Sequence, residues 1–307
     1  MRRAAFWIAA ALVALGVLAF AGMRIPALQD LGVRWAIERL ASTAPNALYE
    51  DDALRVLVCG SSGPLPHATR AKPCVAVFAA GRFFVVDAGI GSWNRLAGWR
   101  VDGSRIGGVL LTHFHSDHIG ALGEYDLQTW VAGRPGPLAV FGPPGVERVV
   151  AGFEGAYALD TSYRIAHHGS DLLPPEAGRM EARPIRGPAT EARAEVILQE
   201  GELRITAFPV DHSPVTPAYG YRFDYRGRSV VVSGDTVHTP TLIEAAAGAD
   251  VLVHEAQANH IVEIIRETAQ RAGRPRAVKI LSDIPDYHTS PVEAAEAANE
   301  AGVGLLV

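Results

Sequence analysis

The pattern of hydrophobic and polar positions divides the chain into three parts. Residues 4–21 are apolar and carry no charge, and Arg2, Arg3 and Arg24 flank them. Residues 26–50 place apolar side chains at roughly helical spacing, which predicts one amphipathic connecting helix. From residue 54 onward, short apolar runs alternate with turns and helical stretches, as in a folded domain.

Nine short apolar runs in the third part predict β-strands. They cover residues 55–58, 74–79, 82–86, 108–112, 138–141, 203–209, 219–225, 229–232 and 251–253. Ala80-Gly81 and Arg226-Gly227 separate neighbouring runs by two residues, which indicates tight hairpin turns. Strands in both halves with helices between them indicate an α/β domain with two sheets packed face to face. Periodicity alone does not distinguish this arrangement from one large mixed sheet.

The last predicted helix has the clearest boundaries. Ser290-Pro291-Val292-Glu293 forms a capping box with proline at the first helical position, and Gly302 suits the end of the helix. An apolar run at residues 303–307 then begins a strand and stops inside it. We therefore expect a folded domain at residues 51–307 that is truncated at its C-terminus.

The N-terminal run predicts export. Its positive end should stay in the cytoplasm while the following chain crosses the membrane, toward a periplasmic or extracellular face. Ala19-Phe20-Ala21 has the small-x-small form of a signal-peptidase site, although the run is long for a cleaved signal and barely long enough to span a bilayer. Residues 1–23 are thus a signal peptide or, preferably, a membrane anchor, and residues 24–50 are a helical connector.

Charge and cysteine content narrow the choice of function. A formal net charge of -5 over 307 residues argues against non-specific nucleic-acid binding, although it leaves room for a local basic pocket. Cys59 and Cys74 are too few for a disulfide framework or a thiolate zinc site. They are two buried thiols or, if the domain is exported, one disulfide.

A cluster of metal ligands follows the strand predicted at residues 108–112. His113 and His115 are two residues apart, so both side chains can point to the same side of an extended segment and grip one ion. Asp117 and His118 come after a turn and can face a second ion. Imidazole and carboxylate groups suit zinc, and manganese or iron would fit the same ligands.

The spacing His-x-His-x-Asp-His resembles the signature of the metallo-β-lactamase superfamily. Further matching motifs are Val86-Asp87-Ala88-Gly89, Asp211-His212, Ala218-Tyr219-Gly220-Tyr221-Arg222, Ser233-Gly234-Asp235-Thr236, His254-Glu255-Ala256 and Tyr287-His288-Thr289-Ser290. The later motifs resemble the ribonuclease Z and arylsulfatase-like branch. The resemblance covers residue 54 to the end of the chain. It implies a four-layer αβ/βα sandwich of two mixed sheets, preceded here by the N-terminal apolar helix.

The same resemblance implies a two-zinc site. Carried over by position, the ligands of the first zinc are His113, His115 and His212, those of the second are Asp117 and His118, and the bridge is Asp235. The family's last ligand, a histidine, would fall just past residue 307, so the second site is expected to be incomplete in this chain.

Catalytic roles follow less directly. Asp117 and His288 are the expected catalytic residues, with His288 stabilising an oxyanion or protonating the leaving group. His254 is expected to be structural. His167 and His168 either line the cleft or form a surface turn, and His67, His238 and His260 receive no role.

The resemblance implies hydrolysis of a small anionic ester, an aryl sulfate or a phosphodiester, by a hydroxide shared between two metals. A lactonase or β-lactamase-type hydrolase and a metal-binding module with a degraded site are the alternatives. Transfer RNA is disfavoured as substrate, because only 22 residues separate His212 from Asp235, where ribonuclease Z usually has a tRNA-gripping arm, and because an exported protein would not meet precursor tRNA. No nucleic-acid partner is therefore expected.

Overall fold

The computed structural model describes residues 2–42, 46–50, 53–185 and 194–307. These residues form two compact units, Met1–Pro45 and Asn46–Val307. Residues 43–45, within the predicted connector, and residues 51–52, at the predicted start of the hydrolase domain, lie outside the described residues. The predicted functional divisions at residues 23 and 50 stay predictions.

The first unit contains two helices, α1 (Arg2–Gly22) and α2 (Pro26–Ser42). Within the described part of the chain, no single helix is long and apolar enough to cross a membrane. The segments Leu12–Gly22 and Pro26–Arg39, bent by 88° at the break between them, meet that test only as a pair, by length and composition. Of the two predictions for residues 1–23, a signal peptide or a membrane anchor, this finding does not support the anchor as a single helix.

The second unit begins with a 3-10 turn at Asn46–Tyr49 and contains twelve described strands and eight described α-helices. The strands are β1 (Arg55–Gly60), β2 (Cys74–Ala79), β3 (Arg82–Val86), β4 (Ile106–Leu110), β5 (Leu138–Gly142), β6 (Met180–Pro184), β7 (Glu195–Glu200), β8 (Leu203–His212), β9 (Val215–Tyr225), β10 (Arg228–Val232), β11 (Val251–Val253) and β12 (Leu305–Leu306). The helices are α3 (Ser92–Gly98), α4 (Ser116–Ile119), α5 (Leu122–Val131), α6 (Val146–His168), α7 (Pro240–Ala246), α8 (Asn259–Arg271), α9 (Pro275–Asp283) and α10 (Pro291–Ala301).

The strands form two six-stranded mixed sheets. The first has the order β1-β2-β3-β4-β5-β6, and the second has the order β12-β11-β10-β9-β8-β7. In each sheet one half is antiparallel and built from hairpins, and the other half is parallel. The expectation of two mixed sheets is thus confirmed, and the single large sheet that periodicity left open is excluded.

Two of the hairpins have the turns that the sequence predicted. Ala80 and Gly81 have φ values of 51° and 71°, and Arg226 and Gly227 have φ values of 50° and 71°. Two successive residues at positive φ are characteristic of the type I′ turn, whose twist matches that of the strands it joins. The turn at Ala80-Gly81 therefore explains why β2 ends and β3 begins where their apolar runs do.

The core lies in three layers that alternate with the sheets. Along β3, Phe83 and Val85 pack toward the helices on the outer face of the first sheet, while Phe84 and Val86 pack between the two sheets. A third cluster joins the outer face of the second sheet to α7 and α10. Strands buried on both faces are expected in a four-layer arrangement, so the predicted αβ/βα sandwich is confirmed.

A disulfide joins β1 to β2. Cys59 and Cys74 are both buried, and their Cα atoms lie 5.0 Å apart. The sequence left free thiols and a disulfide open, and the structure has the disulfide.

Candidate metal centre

The residues of the metal-ligand motifs meet at one edge of the sandwich. His113 and Asp87 follow the parallel strands β4 and β3, and Asp235 and Glu255 follow the parallel strands β10 and β11. The carboxyl ends of parallel neighbours lie at the same edge of a sheet, which is where open α/β sheets bind their ligands. The metal-ligand motifs, which are separate in the sequence, therefore form one site in the fold.

Hydrogen bonds join the two sheets beside this site. The Tyr221 hydroxyl donates to the Leu111 carbonyl at 2.6 Å, and the Tyr219 backbone N–H donates to the Thr112 carbonyl at 3.0 Å. These bonds fix the segment that enters the histidine cluster against the second sheet.

Three histidines form the first group of candidate ligands. His113 Nε2 lies 2.8 Å from His115 Nδ1, and His212 Nε2 lies 3.4 Å from the same His115 atom. One ligand atom from each side chain lies within 4.8 Å of the other two. His115 is exposed while His113 and His212 are buried, so the group opens to solvent on one side.

Asp235 lies between this group and the rest of the cluster. Its Oδ2 atom is 3.2 Å from His118 Nε2, and it belongs to two further candidate groups, one with His113 and His118 and one with His212 and His288. The preceding Gly234 has φ 66°, and a Cβ atom there would lie 2.8 Å from the Tyr219 carbonyl oxygen. Only glycine fits this turn easily, which is why the aspartate follows a glycine.

Asp117 is less closely associated with the cluster than its neighbours. Its side chain is buried, and its Oδ2 atom lies 3.8 Å from His118 Nε2. None of the three-ligand groups among the described residues includes it. The structure thus brings five of the six expected ligands together and places the sixth beside them.

Burial sets the protonation of the cluster. Desolvation, reinforced by the charge of His118, lowers the pKa of His113 to about 2, and desolvation also lowers the pKa of His212. Both rings are therefore neutral and can offer a nitrogen lone pair. Burial would also lower the pKa of His118, but the charges of Asp235 and Asp87 outweigh it and raise that pKa well above the usual range.

Asp87 lies behind the candidate ligands and fixes the position of His118. Its carboxylate accepts hydrogen bonds from His118 Nδ1 at 2.7 Å and from the Thr112 backbone N–H at 2.8 Å. The carboxylate therefore takes the place of a strand carbonyl at Thr112, which explains why β4 ends at Leu110 and not at residue 112 as predicted. A carboxylate that fixes the far nitrogen of a histidine is typical of metal sites.

Glu255 and His288 form a second pair beside Asp235. His288 Nδ1 lies 2.9 Å from Glu255 Oε1 and 4.0 Å from Asp235 Oδ2. Burial lowers the pKa of His288, but the hydrogen bond and charge of Glu255 more than offset this, so the pKa is raised. The pair gives the site a proton-carrying imidazole next to the candidate ligands.

Sequence reasoning assigned no role to three residues of the site. Asp87 and Glu255 were noticed only as parts of motifs, and Tyr287 only as the residue before His288. The Tyr287 carbonyl lies 2.9 Å from His212 Nδ1, and its ring contacts the rings of both His212 and His288. The signal that could have assigned Asp87 and Glu255 to the site is their position after parallel strands.

The remaining histidines lie outside the candidate groups. His254 is buried, and its backbone N–H donates to the Val307 carbonyl at 3.1 Å. His167 and His168 end α6 and are exposed. The predicted structural role of His254 and the open role of the other two stay predictions.

A family comparison identifies the chain. The family model described as "Beta-lactamase superfamily domain" matches residues 82–307. The chain belongs to the metallo-β-lactamase superfamily. It is a metal-dependent hydrolase, and the neutral imidazoles and carboxylates at the sheet edge fit a metal ion, since they are the donors that zinc and similar ions prefer.

Curated relatives place this superfamily member in the ribonuclease Z branch. It is 41% identical over 257 residues to "Ribonuclease Z" of Mycobacterium bovis, an alignment that covers 83% of this chain and 84% of the relative. It is 38% identical over 257 residues to "Ribonuclease Z" of Mycolicibacterium gilvum, covering 83% and 82% of the two chains. The predicted superfamily and branch are confirmed.

Solved structures show the same fold. Human tRNase Z, short form, is 19% identical, with a TM-score of 0.59 over 82% of this chain and 91% of that one. The metallo-β-lactamase fold protein YhfI of Bacillus subtilis is 21% identical, with a TM-score of 0.56 over 83% and 85%.

The relatives correct the predicted substrate. The prediction of a small anionic ester as substrate, either an aryl sulfate or a phosphodiester, was wrong, because the relatives that match most of the chain are named Ribonuclease Z. The expectation that no nucleic acid is a partner was wrong for the same reason. The short spacing between His212 and Asp235 was a poor guide: β9 and β10 fill it as a simple hairpin, and the chain still resembles ribonuclease Z over 83% of its length.

The predicted location is corrected as well. An exported, membrane-anchored protein with a signal or transmembrane segment was predicted from Arg2, Arg3 and the apolar run that follows them. Predicted export was one of the reasons for disfavouring tRNA as the substrate, yet the curated relatives are named Ribonuclease Z. The run lies in α1, which by itself does not meet the length and composition test for a membrane span.

Proposed function

We propose that this chain is an endoribonuclease of the ribonuclease Z type, which hydrolyses a phosphodiester bond in precursor tRNA. The observation that supports this most strongly is the 41% identity to a ribonuclease Z across 83% of the chain. The geometry of the site agrees, because it combines candidate metal ligands with a separate group able to protonate a leaving oxygen.

The proposed metal ligands form two sets. His113, His115 and His212 would hold one zinc ion. Asp117 and His118 would hold the other, and Asp235 would contribute to both sites. Bound zinc ions would supply Lewis acidity toward the phosphate and a water activated at neutral pH. These carboxylates and imidazoles would place the ions at the open edge, and Asp235 would offset the repulsion between two nearby dications.

His288 is the proposed general acid. Its Nδ1–H donates to Glu255, which leaves Nε2 as the nitrogen available to give a proton to the departing ribose oxygen. Water adds to phosphorus, the bond from phosphorus to the leaving oxygen breaks, and the proton from Nε2 makes that oxygen a hydroxyl. The Glu255 carboxylate keeps the imidazolium oriented during this step.

Asp117 has two proposed roles, as a ligand and as the carboxylate that orients the attacking water. Its burial beside His118 suits both. A carboxylate at this position would hold the proton released as water adds.

The test is cleavage of a labelled precursor tRNA transcript with extensions at both ends. The zinc-loaded protein should cut it at one position and leave an unstructured RNA of equal length largely intact. Random degradation of both RNAs, or no cleavage of either with zinc or manganese, would refute the proposal.

A further inference from the structure

A helical hairpin lies between two segments of the active site. It consists of α8 and α9, and residues 259–283 contain all of it. Glu255 precedes it by four residues, and a 3-10 turn at Ile284–Asp286 connects it to Tyr287 and His288. Both ends of the hairpin are therefore connected to the groups proposed to carry out proton transfer.

The charge of this hairpin is opposite to that of the whole chain. Its basic residues are Arg266, Arg271, Arg274, Arg276 and Lys279, and its acidic residues are Glu263, Glu267 and Asp283. Five positive and three negative charges give +2, whereas the whole chain carries -5, so the remainder carries -7. A positive element in a negative protein is a local site for an anion.

A groove of about 470 Å³ runs between the two helices. Its lining is formed by Arg266, Gln270, Gly273, Arg274, Pro275, Val278, Lys279 and Ser282. Among these described residues there are three cations and two uncharged polar side chains, and there is no carboxylate. Such a lining can both neutralise a phosphate and donate hydrogen bonds to it.

Two cations of the groove are available for a ligand. Lys279 pairs with Asp283 at 2.5 Å within α9, but an exposed pair of this kind contributes little and exchanges readily. Arg274 is exposed at the tip of the hairpin, and no ion pair among the described residues engages it. Arg266 is half-buried and makes two hydrogen bonds to Glu263. Phosphate oxygens can therefore reach Arg274 and replace Asp283 beside Lys279 at small cost.

We infer that the α8–α9 hairpin binds the phosphate backbone of the RNA substrate. This inference rests on the proposed function. It names a surface that contacts the substrate at a distance from the bond that is cut. The long axis of α8 is roughly 20 Å, so the groove near its end can hold nucleotides that are distant from the reacting phosphate. The contacts are to phosphate, so they add affinity without selecting a base.

The test compares an RNA substrate with a small one. The double variant Arg274→Glu with Lys279→Glu is measured for KM and kcat on precursor tRNA over a range of salt concentrations. The chromogenic diester bis(p-nitrophenyl) phosphate is used as a small probe of the metal centre, because it lacks the further nucleotides of the RNA. Arg204→Glu is the matched control, because Arg204 is exposed and lies roughly 27 Å along β8 from His212.

The inference predicts that the KM for precursor tRNA is raised roughly tenfold at low salt. The dependence of this KM on salt concentration should fall by the equivalent of about two phosphate contacts. Turnover of the small diester should be unchanged, and the control should behave as wild type. Arg274→Gln, a single change at an exposed position, should give a smaller effect in the same direction, which guards against misfolding of the double variant.

The alternative outcomes are separable. Wild-type protein that cleaves precursor tRNA, together with hairpin variants of unchanged KM and salt dependence, would overturn this inference alone. Wild-type protein that neither binds nor cleaves precursor tRNA would overturn the proposed function and the hairpin's role together.

Discussion

One carboxylate oxygen, Oε1 of Glu255, lies 2.9 Å from His288 Nδ1 and also accepts hydrogen bonds from the backbone N–H groups of Thr236 and Thr289. Thr236 follows Asp235, and Thr289 follows His288, so a single side chain ties together both segments of the site. The position of the proposed general acid relative to the proposed bridging aspartate is therefore set by Glu255.

The first prediction concerns His288. His288→Ala should lower the single-turnover rate on precursor tRNA by about 10²–10⁴, the usual contribution of a general acid, with zinc content unchanged. Elemental analysis of the variant provides the control. Loss of a zinc ion together with activity would mean that His288 is a ligand, as its grouping with His212 and Asp235 also permits.

Glu255 should determine the pH dependence of the reaction. His288 acts in its protonated form, so activity falls as pH rises through its pKa, and Glu255 raises that pKa. Glu255→Gln should therefore move the alkaline fall of kcat to lower pH while the zinc content stays the same. Glu293→Gln, on the cap of α10, is the matched control. A profile that does not move would show that Glu255 has only a structural role.

Asp235 should be needed for metal retention. Asp235→Ala removes the carboxylate shared by both proposed ions and should reduce zinc occupancy and turnover by more than about 100-fold. Asp171→Ala, at an exposed position after α6, controls for loss of a negative charge. A variant that keeps two zinc ions and a near-normal rate would show that Asp235 does not bridge them.

The two proposed zinc positions should differ in affinity. Three imidazoles contribute to the first, whereas the second has one imidazole and carboxylates, and neutral imidazole is the stronger zinc ligand. Titration calorimetry on metal-free protein should therefore resolve one tight and one weaker binding step. Two equally tight steps would indicate a further ligand at the second position.

The sequence predicted those parts of the fold in which local pattern and tertiary environment agree. β2 and β3 were predicted at their observed ends, because their apolar runs are bounded by a turn that needs positive φ. β6 and β7 were missed, since β6 is an edge strand with alternating exposure and β7 has no buried residue. α6 was missed because only Val146 and Val150 of its 23 residues are buried, so it has no continuous apolar face.

The site was predictable where its residues are close in sequence. His113, His115, Asp117 and His118 lie within six positions, and their ligand character is visible directly. The pairs Asp87–His118 and Glu255–His288 bring together residues 31 and 33 positions apart, and their contacts depend on how parallel strands meet at the sheet edge. The positive charge of the groove between α8 and α9 was not recognised from the sequence, because the net charge of the whole chain is negative.

The most direct test of the account is cleavage of precursor tRNA by metal-free protein to which zinc is returned stepwise. We predict that metal-free protein is inactive and that cleavage at one position appears as zinc is bound, reaching its maximum when both sites are filled. Cleavage that is independent of bound metal, or zinc-loaded protein that leaves precursor tRNA intact, would contradict the account.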